Sequence, residues 1–167
     1  AEAVLGKDGL SFVQAPVPVL VRPVPHMIES YPGYASVLAA WAFGEVDCLH
    51  GLFGAWRHWL AAYRPDAVVC DFSPVAQWSA HLCGYPVMQI ALPWELPPGR
   101  QHLPVFPHGR GAGREALIAT EARVLANSQE VCRREDLPPP GCLGQLYEAD
   151  RRLVTGLAEL DCYGPQR

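Results

Sequence analysis

The spacing of hydrophobic positions changes several times along the chain, and each change marks an element. Between Val46 and Tyr63, the residues Leu49, Leu52, Phe53, Trp56, Leu60 and Tyr63 recur every three or four positions, which draws one apolar stripe along a helix. His50, Arg57 and His58 fall mostly off that stripe and are expected on a solvated face. The alanine-rich stretch 34–43 predicts a shorter helix ahead of it, interrupted at Gly44. Residues 67–72 then form an unbroken apolar run with Asp71 near its end, the pattern of a strand buried on both faces of a parallel sheet. Ser73 suits a helix cap, Pro74 the first helical position and Gly84 the helix end. Residues 87–92 are a second apolar strand. The unit is strand, helix, strand, with a lone carboxylate at the carboxyl end of the first strand. In open α/β sheets that edge is where ligands bind.

The flanking sequence is less periodic. Residues 1–6 read as the last turns of a helix closed by Gly6, and 10–15 as a short strand after the Lys7-Asp8-Gly9 turn. Prolines at 16, 18, 23, 25 and 32 make the following passage an extended surface connection. A second long loop, 93–110, leaves the carboxyl end of the second strand and is expected over the same edge as Asp71. It carries Trp94 and Phe106 with Glu95, His102 and His108, which suits the wall of a pocket for a partly apolar ligand. It suits equally an ordinary surface loop pinned by its aromatics. Residues 113–135 predict a long helix, with Glu115 in its first turn and Arg133 and Arg134 in its last, as the helix dipole favours. Prolines 138–140 stop it; 143–149 fit a further helical turn or two, 150–156 a last strand and 158–165 a run of turn residues.

Composition narrows the class. The length of 167 residues, half of them hydrophobic and 18% charged, fits one globular domain with a sizeable core. A net charge of −4, with only Arg133–Arg134 and Arg151–Arg152 as adjacent basic pairs, argues against a nucleic-acid surface. No apolar run approaches the length of a bilayer span, and no signal peptide is expected from the residues given. The six cysteines, at 48, 70, 83, 132, 142 and 162, contain no C-x-x-C pair and no tight Cys/His cluster. They are expected to be free thiols of a reducing compartment, hence a cytoplasmic chain without a metal centre. There is no G-x-G-x-x-G, phosphate-binding P-loop or G-x-S-x-G motif, and no pair of carboxylates spaced for glycoside hydrolysis. The glycines at 109, 111 and 113 precede a helix, but no strand leads into them, which makes a poor phosphate cradle. The residues themselves thus give an α/β domain with a candidate edge site and no complete catalytic apparatus.

The order of segments goes further. AEAVLG with FVQAP, then YASVLAA and AFG, then AWRHWLAAYRPDAVVCDFSPVA, GYPVMQI, EARVLAN, RREDLPPPGCLGQLYEAD and LVTGLAELDCYGP follow one another along the whole chain. In that order and spacing they resemble the acceptor-side half of glycosyltransferases of the GT-B fold, closest to the bacterial UDP-glycosyltransferase and macrolide-glycosyltransferase group. The resemblance implies a Rossmann-like parallel sheet flanked by helices, with residues 1–167 forming a single partial acceptor-binding domain. Its first strand–helix unit and the C-terminal donor domain are expected to lie outside the chain, which begins at Ala1 rather than Met. Cys162 stands where close relatives carry a His, a departure at the approach to the interdomain linker.

For function, the resemblance implies inverting transfer of a sugar from a nucleotide-sugar co-substrate to a hydroxyl of a small, lipophilic acceptor. A His after the first strand would act as general base, and an Asp after a later strand would fix its tautomer and support the imidazolium. Asp71 matches that Asp; its other reading is a turn residue ahead of Ser73. The His has no match in the chain. Trp94, Glu95 and Phe106 are the expected acceptor-binding residues. The chain alone is therefore expected to be inactive, and to work with a donor domain in the same or another chain. The alternatives are a stand-alone small-molecule-binding module without chemistry, or a non-catalytic half that pairs with a separate donor-domain chain.

Overall fold

The apolar runs of the central unit pair as parallel strands, and the helical stripes pack on one side of them. The computed structural model of the chain describes residues 13–17, 31–98, 102–106 and 113–163. The expected helix at 1–6, most of the strand at 10–15, His108 and the glycine-rich stretch ahead of Gly113 lie outside the described residues. Residues 13–17 have no regular structure. The elements are α1 (Tyr34–Leu38, running on into a π-helical turn, Ala39–Phe43), α2 (Val46–Tyr63), β1 (Val68–Asp71), α3 (Pro74–Leu82), β2 (Val87–Ala91), α4 (Arg114–Arg134) and β3 (Arg151–Val154). Short 3₁₀ turns occupy Pro93–Glu95, Leu143–Tyr147 and Ala158–Leu160.

The fold is α/β and Rossmann-like: a three-stranded parallel sheet in the order β1-β2-β3, packed against helices. Val68 to Asp71 align with Val87 to Ile90, and Met88 to Ala91 with Arg151 to Val154. Asp150 fastens β3 to β2, its backbone N–H donating to the Val87 carbonyl and its Oδ2 accepting from the Val87 N–H. Both crossovers advance in the same direction across the sheet. Parallel crossovers are right-handed, so their helices fall on the same side.

That handedness corrects one expectation. β1 is not buried on both faces: Cys70 is buried, but Val69 is 61% exposed and Asp71 is also exposed. β2 alternates in the same way, with Val87, Gln89 and Ala91 buried and Met88 exposed, and all of β3 is exposed. A continuous apolar run cannot say which of its faces a helix covers.

On the covered side the core centres on Trp78 of α3. Its ring meets Phe43 at 5.9 Å and Phe53 at 5.4 Å between centroids. Tyr34, Leu38, Leu49, Val124, Val131, Leu146 and Tyr147 complete the cluster, and Leu60 joins Ala80 and Val87 beneath the sheet. The α2 stripe is buried at Leu49, Leu52, Phe53 and Leu60, but Tyr63 is exposed and stacks on Trp59. Here α2 ends at Arg64 in a left-handed turn (φ 47°) ahead of Pro65. His50 and Arg57 are not simply solvated: both bind the Glu135 carboxylate at the end of α4, His50 Nε2 at 2.6 Å. α3 closes in a Schellman turn around Gly84 (φ 78°), with the Tyr85 N–H on the Ala80 carbonyl and the Gly84 N–H on that of His81.

The π turn explains Gly44. The Gly44 N–H reaches the Ala39 carbonyl at 3.2 Å, so a Cβ on Gly44 would sit 2.4 Å from that oxygen. At Gly51, on the exposed side of α2, a Cβ would meet nothing within 4 Å. Gly44→Ala should therefore destabilise by about 1–3 kcal/mol through overpacking. Gly51→Ala should stabilise by about 0.5–1 kcal/mol through helix propensity. Urea denaturation of the two variants beside the parent checks both signs.

Candidate functional site

The carboxyl end of β1 is a sharp corner. After Asp71 the backbone turns through Phe72 at φ 35°, a left-handed conformation that costs a non-glycine residue about 1 kcal/mol or more. Ring contacts hold it there. Phe72 lies edge-on to Trp41 at 6.5 Å and against Trp94 at 5.2 Å. Ser73 takes the N-cap position of α3, but its hydroxyl does not cap the helix. It donates to the Asp71 carbonyl at 3.1 Å, while its own carbonyl accepts from the Gln77 N–H. Pro74 opens the helix at no cost in lost donors. The corner leaves the Asp71 residue exposed at the sheet edge.

The loop after β2 returns to this corner and is tied down at several points. The Leu92 N–H donates to Glu95 Oε2 at 2.7 Å, and the Tyr34 hydroxyl to the Glu95 carbonyl at 2.7 Å. The Tyr163 hydroxyl donates to the Trp94 carbonyl at 2.9 Å, and the Thr155 hydroxyl to that of Ala91 at 3.1 Å. Glu95 feels both its surroundings and Asp71. Partial burial raises its pKa above the ordinary carboxylate value and the Asp71 charge adds to this, while the Leu92 N–H opposes it. Two carboxylates, 24 positions apart in sequence, thus share one edge. Sequence spacing carries no sign of this pairing, because a crossover helix and a strand separate them.

Of the four residues singled out in the sequence, Asp71, Trp94 and Glu95 come together at this edge. Phe106 takes another place. Its ring packs edge-on against Tyr34 at 6.2 Å, in a segment held by the Gly33–Val105 bridge. Its tie to the edge runs through Tyr34, whose hydroxyl holds the Glu95 carbonyl. His102 pairs with Glu121 of α4 at 2.9 Å, beside the Leu103 N–H on the same carboxylate. The loop therefore divides: residues 93–96 serve the edge, and 102–106 dock the chain onto α1 and α4.

Next to the corner is an apolar cavity of about 220 Å³, walled by Trp41, Phe43, Leu52, Trp56, Phe72 and Val75. Residues 15–17 also line it. Trp56 is half-buried and Trp41 46% exposed, so both present ring surface to the cavity's surroundings. Sequence periodicity marks Trp56 as a core anchor; nothing in it separates a core anchor from a cavity wall.

Among the described residues no histidine is hydrogen-bonded to Asp71: His50, His81 and His102 pair with Glu135, Glu148 and Glu121. No group of three or more His, Cys, Asp or Glu among the described residues is arranged to hold a metal ion. Cys70 and Cys132 have thiols pushed up by burial to about 11, so neither offers a thiolate at neutral pH. No helix among the described residues is long and apolar enough to cross a membrane. No family model matches the chain, and no curated protein and no solved structure matches it.

The raised pKa of Glu95 has a defined consequence for stability. A carboxyl whose folded-state pKa exceeds its unfolded value favours folding below the ordinary carboxylate range, and that contribution is lost as pH rises through the folded-state value. Glu95→Gln keeps an oxygen for the Leu92 N–H and removes the charge. Between the ordinary carboxylate pKa and neutrality, the parent should lose stability relative to Glu95→Gln. Denaturation midpoints across that pH range check the divergence; parallel curves would contradict it.

Proposed function

We propose that the chain is the acceptor-binding part of an inverting glycosyltransferase, moving a sugar from a nucleotide-sugar donor to a hydroxyl of a small, lipophilic acceptor. One observation carries this reading: an exposed carboxylate, Asp71, ends a parallel strand beside a cavity walled by aromatic rings. An apolar acceptor would lie against Trp41, Trp56 and Phe72, with Trp94 at the edge and Glu95 available to accept a hydrogen bond from a second hydroxyl. The resemblance of the segment order to the GT-B acceptor half supports the same assignment.

In the proposed chemistry Asp71 is a positioning residue. It accepts the N–H of a histidine brought by a part of the enzyme outside these residues, which leaves the other ring nitrogen as base. That nitrogen takes the proton of the acceptor hydroxyl as the oxygen attacks the anomeric carbon. The bond to the leaving nucleoside diphosphate breaks with its electron pair, and the sugar inverts. The imidazolium formed is stabilised by the Asp71 charge. The donor comes from a second domain in the same or another chain.

Asp71→Asn, made in the complete enzyme, should lower kcat by roughly 10²-fold or more, since the neutral side chain neither fixes the productive tautomer nor supports the imidazolium. Donor affinity should be unchanged. The readouts are steady-state turnover with donor and acceptor varied separately, and donor binding by calorimetry. A variant that folds normally and turns over at the parental rate would return Asp71 to the role of a turn residue.

A further inference from the structure

Trp94 and Glu95 reach the candidate edge on a turn whose backbone polar groups point inward. The Glu95 and Leu96 N–H groups donate to the carbonyls of Leu92 and Pro93 at 3.0 and 3.4 Å, which closes the turn on itself. The Trp94 carbonyl accepts from the Tyr163 hydroxyl at 2.9 Å, and the Glu95 carbonyl from the Tyr34 hydroxyl at 2.7 Å. The turn therefore offers side chains outward: the half-buried Trp94 ring and the Glu95 carboxylate, one oxygen of which holds the Leu92 N–H.

The two phenols belong to different parts of the fold. Tyr34 is fully buried in the aromatic core with the Tyr147 ring 5.4 Å away, and burial raises its hydroxyl pKa, so it is a fixed neutral donor. Tyr163 ends a segment that crosses the turn. That segment leaves β3 at Thr155, whose N–H and hydroxyl both donate to the Ala91 carbonyl. It passes beside the Pro93 ring at Gly156, where a Cβ would meet the ring at 3.6 Å. Residues 157–160 then arch outward, with Leu157 and Leu160 about two-thirds exposed. The arch comes back at Tyr163, whose N–H donates to Asp161 Oδ1 at 2.9 Å and whose ring is buried, with its hydroxyl on the Trp94 carbonyl. The segment thus meets the turn at both of its ends. Between them it buries little, which makes it an element of low local stability.

We propose that the segment after β3 governs the candidate site from outside it, with Tyr163 as a positioning residue that holds the 93–96 turn through the Trp94 carbonyl. This rests on the reading of the edge as a ligand site and adds what sets its shape. A turn fixed before the ligand arrives spares the ordering cost of binding. Release of Tyr163 leaves a buried carbonyl without its donor, and the turn then opens to find water. Binding at the edge weakens without the loss of any group that touches the ligand.

Tyr163→Phe removes one oxygen and keeps the ring. Without ligand, the Glu95 and Leu96 amides should exchange roughly tenfold faster than in the parent, while Gln89 in β2 and Val131 in α4 keep the parental rate. The Trp94 indole N–H signal should move and that of Trp59 should stay. 2-Naphthol should bind the variant roughly tenfold more weakly. The proposal is overturned if Glu95 and Leu96 keep the parental rate, or if 2-naphthol binds parent and variant alike. Equal acceleration of Gln89 and Val131 would also overturn it, since Tyr163 would then serve general packing. A parent that does not bind 2-naphthol would overturn the ligand reading of the edge, and the Glu95 and Leu96 rates would still decide whether Tyr163 holds the turn.

Discussion

The packing of Trp78 between Phe43 and Phe53 is the contact on which the rest of the structure depends. It locks α3 to α2 and to the π turn that ends α1, on the side of the sheet that the right-handed crossovers cover. Once α3 is fixed there, β1 must end at the corner beneath its first turn. Phe72 is then driven into a left-handed conformation between Trp41 and Trp94. The candidate site is a by-product of that corner: the strand stops, a carboxylate is left outside, and aromatic rings from three elements meet beside it.

Much of this is legible in the sequence. The helix at Val46–Tyr63 and the strand–helix–strand unit are plain because amphipathic period, proline at the helix start and glycine at its end all agree locally. Asp71 stands out because it is the one charge in an apolar run, and chain direction alone places the loop after β2 over its edge. The cover on the sheet is not legible, since Val68 to Cys70 look the same whether one side or both are buried. His50 and Arg57 do lie off the stripe, but their partner Glu135 arrives from another helix at a distance no local pattern encodes. The Asp71–Glu95 proximity and the roles of Trp41 and Trp56 are likewise products of tertiary packing.

The arrangement also separates two kinds of polar group. Glu121, Glu135 and Glu148 each hold a histidine, and serve to dock loops and helices to one another. Asp71 and Glu95 form no such pair; burial raises the Glu95 pKa and the like charge of Asp71 adds to this. Unfavourable groups concentrated beside a strained backbone and an apolar cavity are the usual physical signature of a ligand site. That combination, rather than any one residue, directs attention to this edge.

The central claim is that this edge and its cavity receive an apolar molecule bearing a hydroxyl. Tryptophan indole resonances test it directly, since Trp41, Trp56 and Trp94 surround the edge while Trp59 stacks on Tyr63 near the end of α2. On titration with 2-naphthol, the indole N–H signals of Trp41, Trp56 and Trp94 should shift saturably and together, with Trp59 unmoved. Shifts that are absent, or that affect Trp59 as much as the other three, would contradict the account.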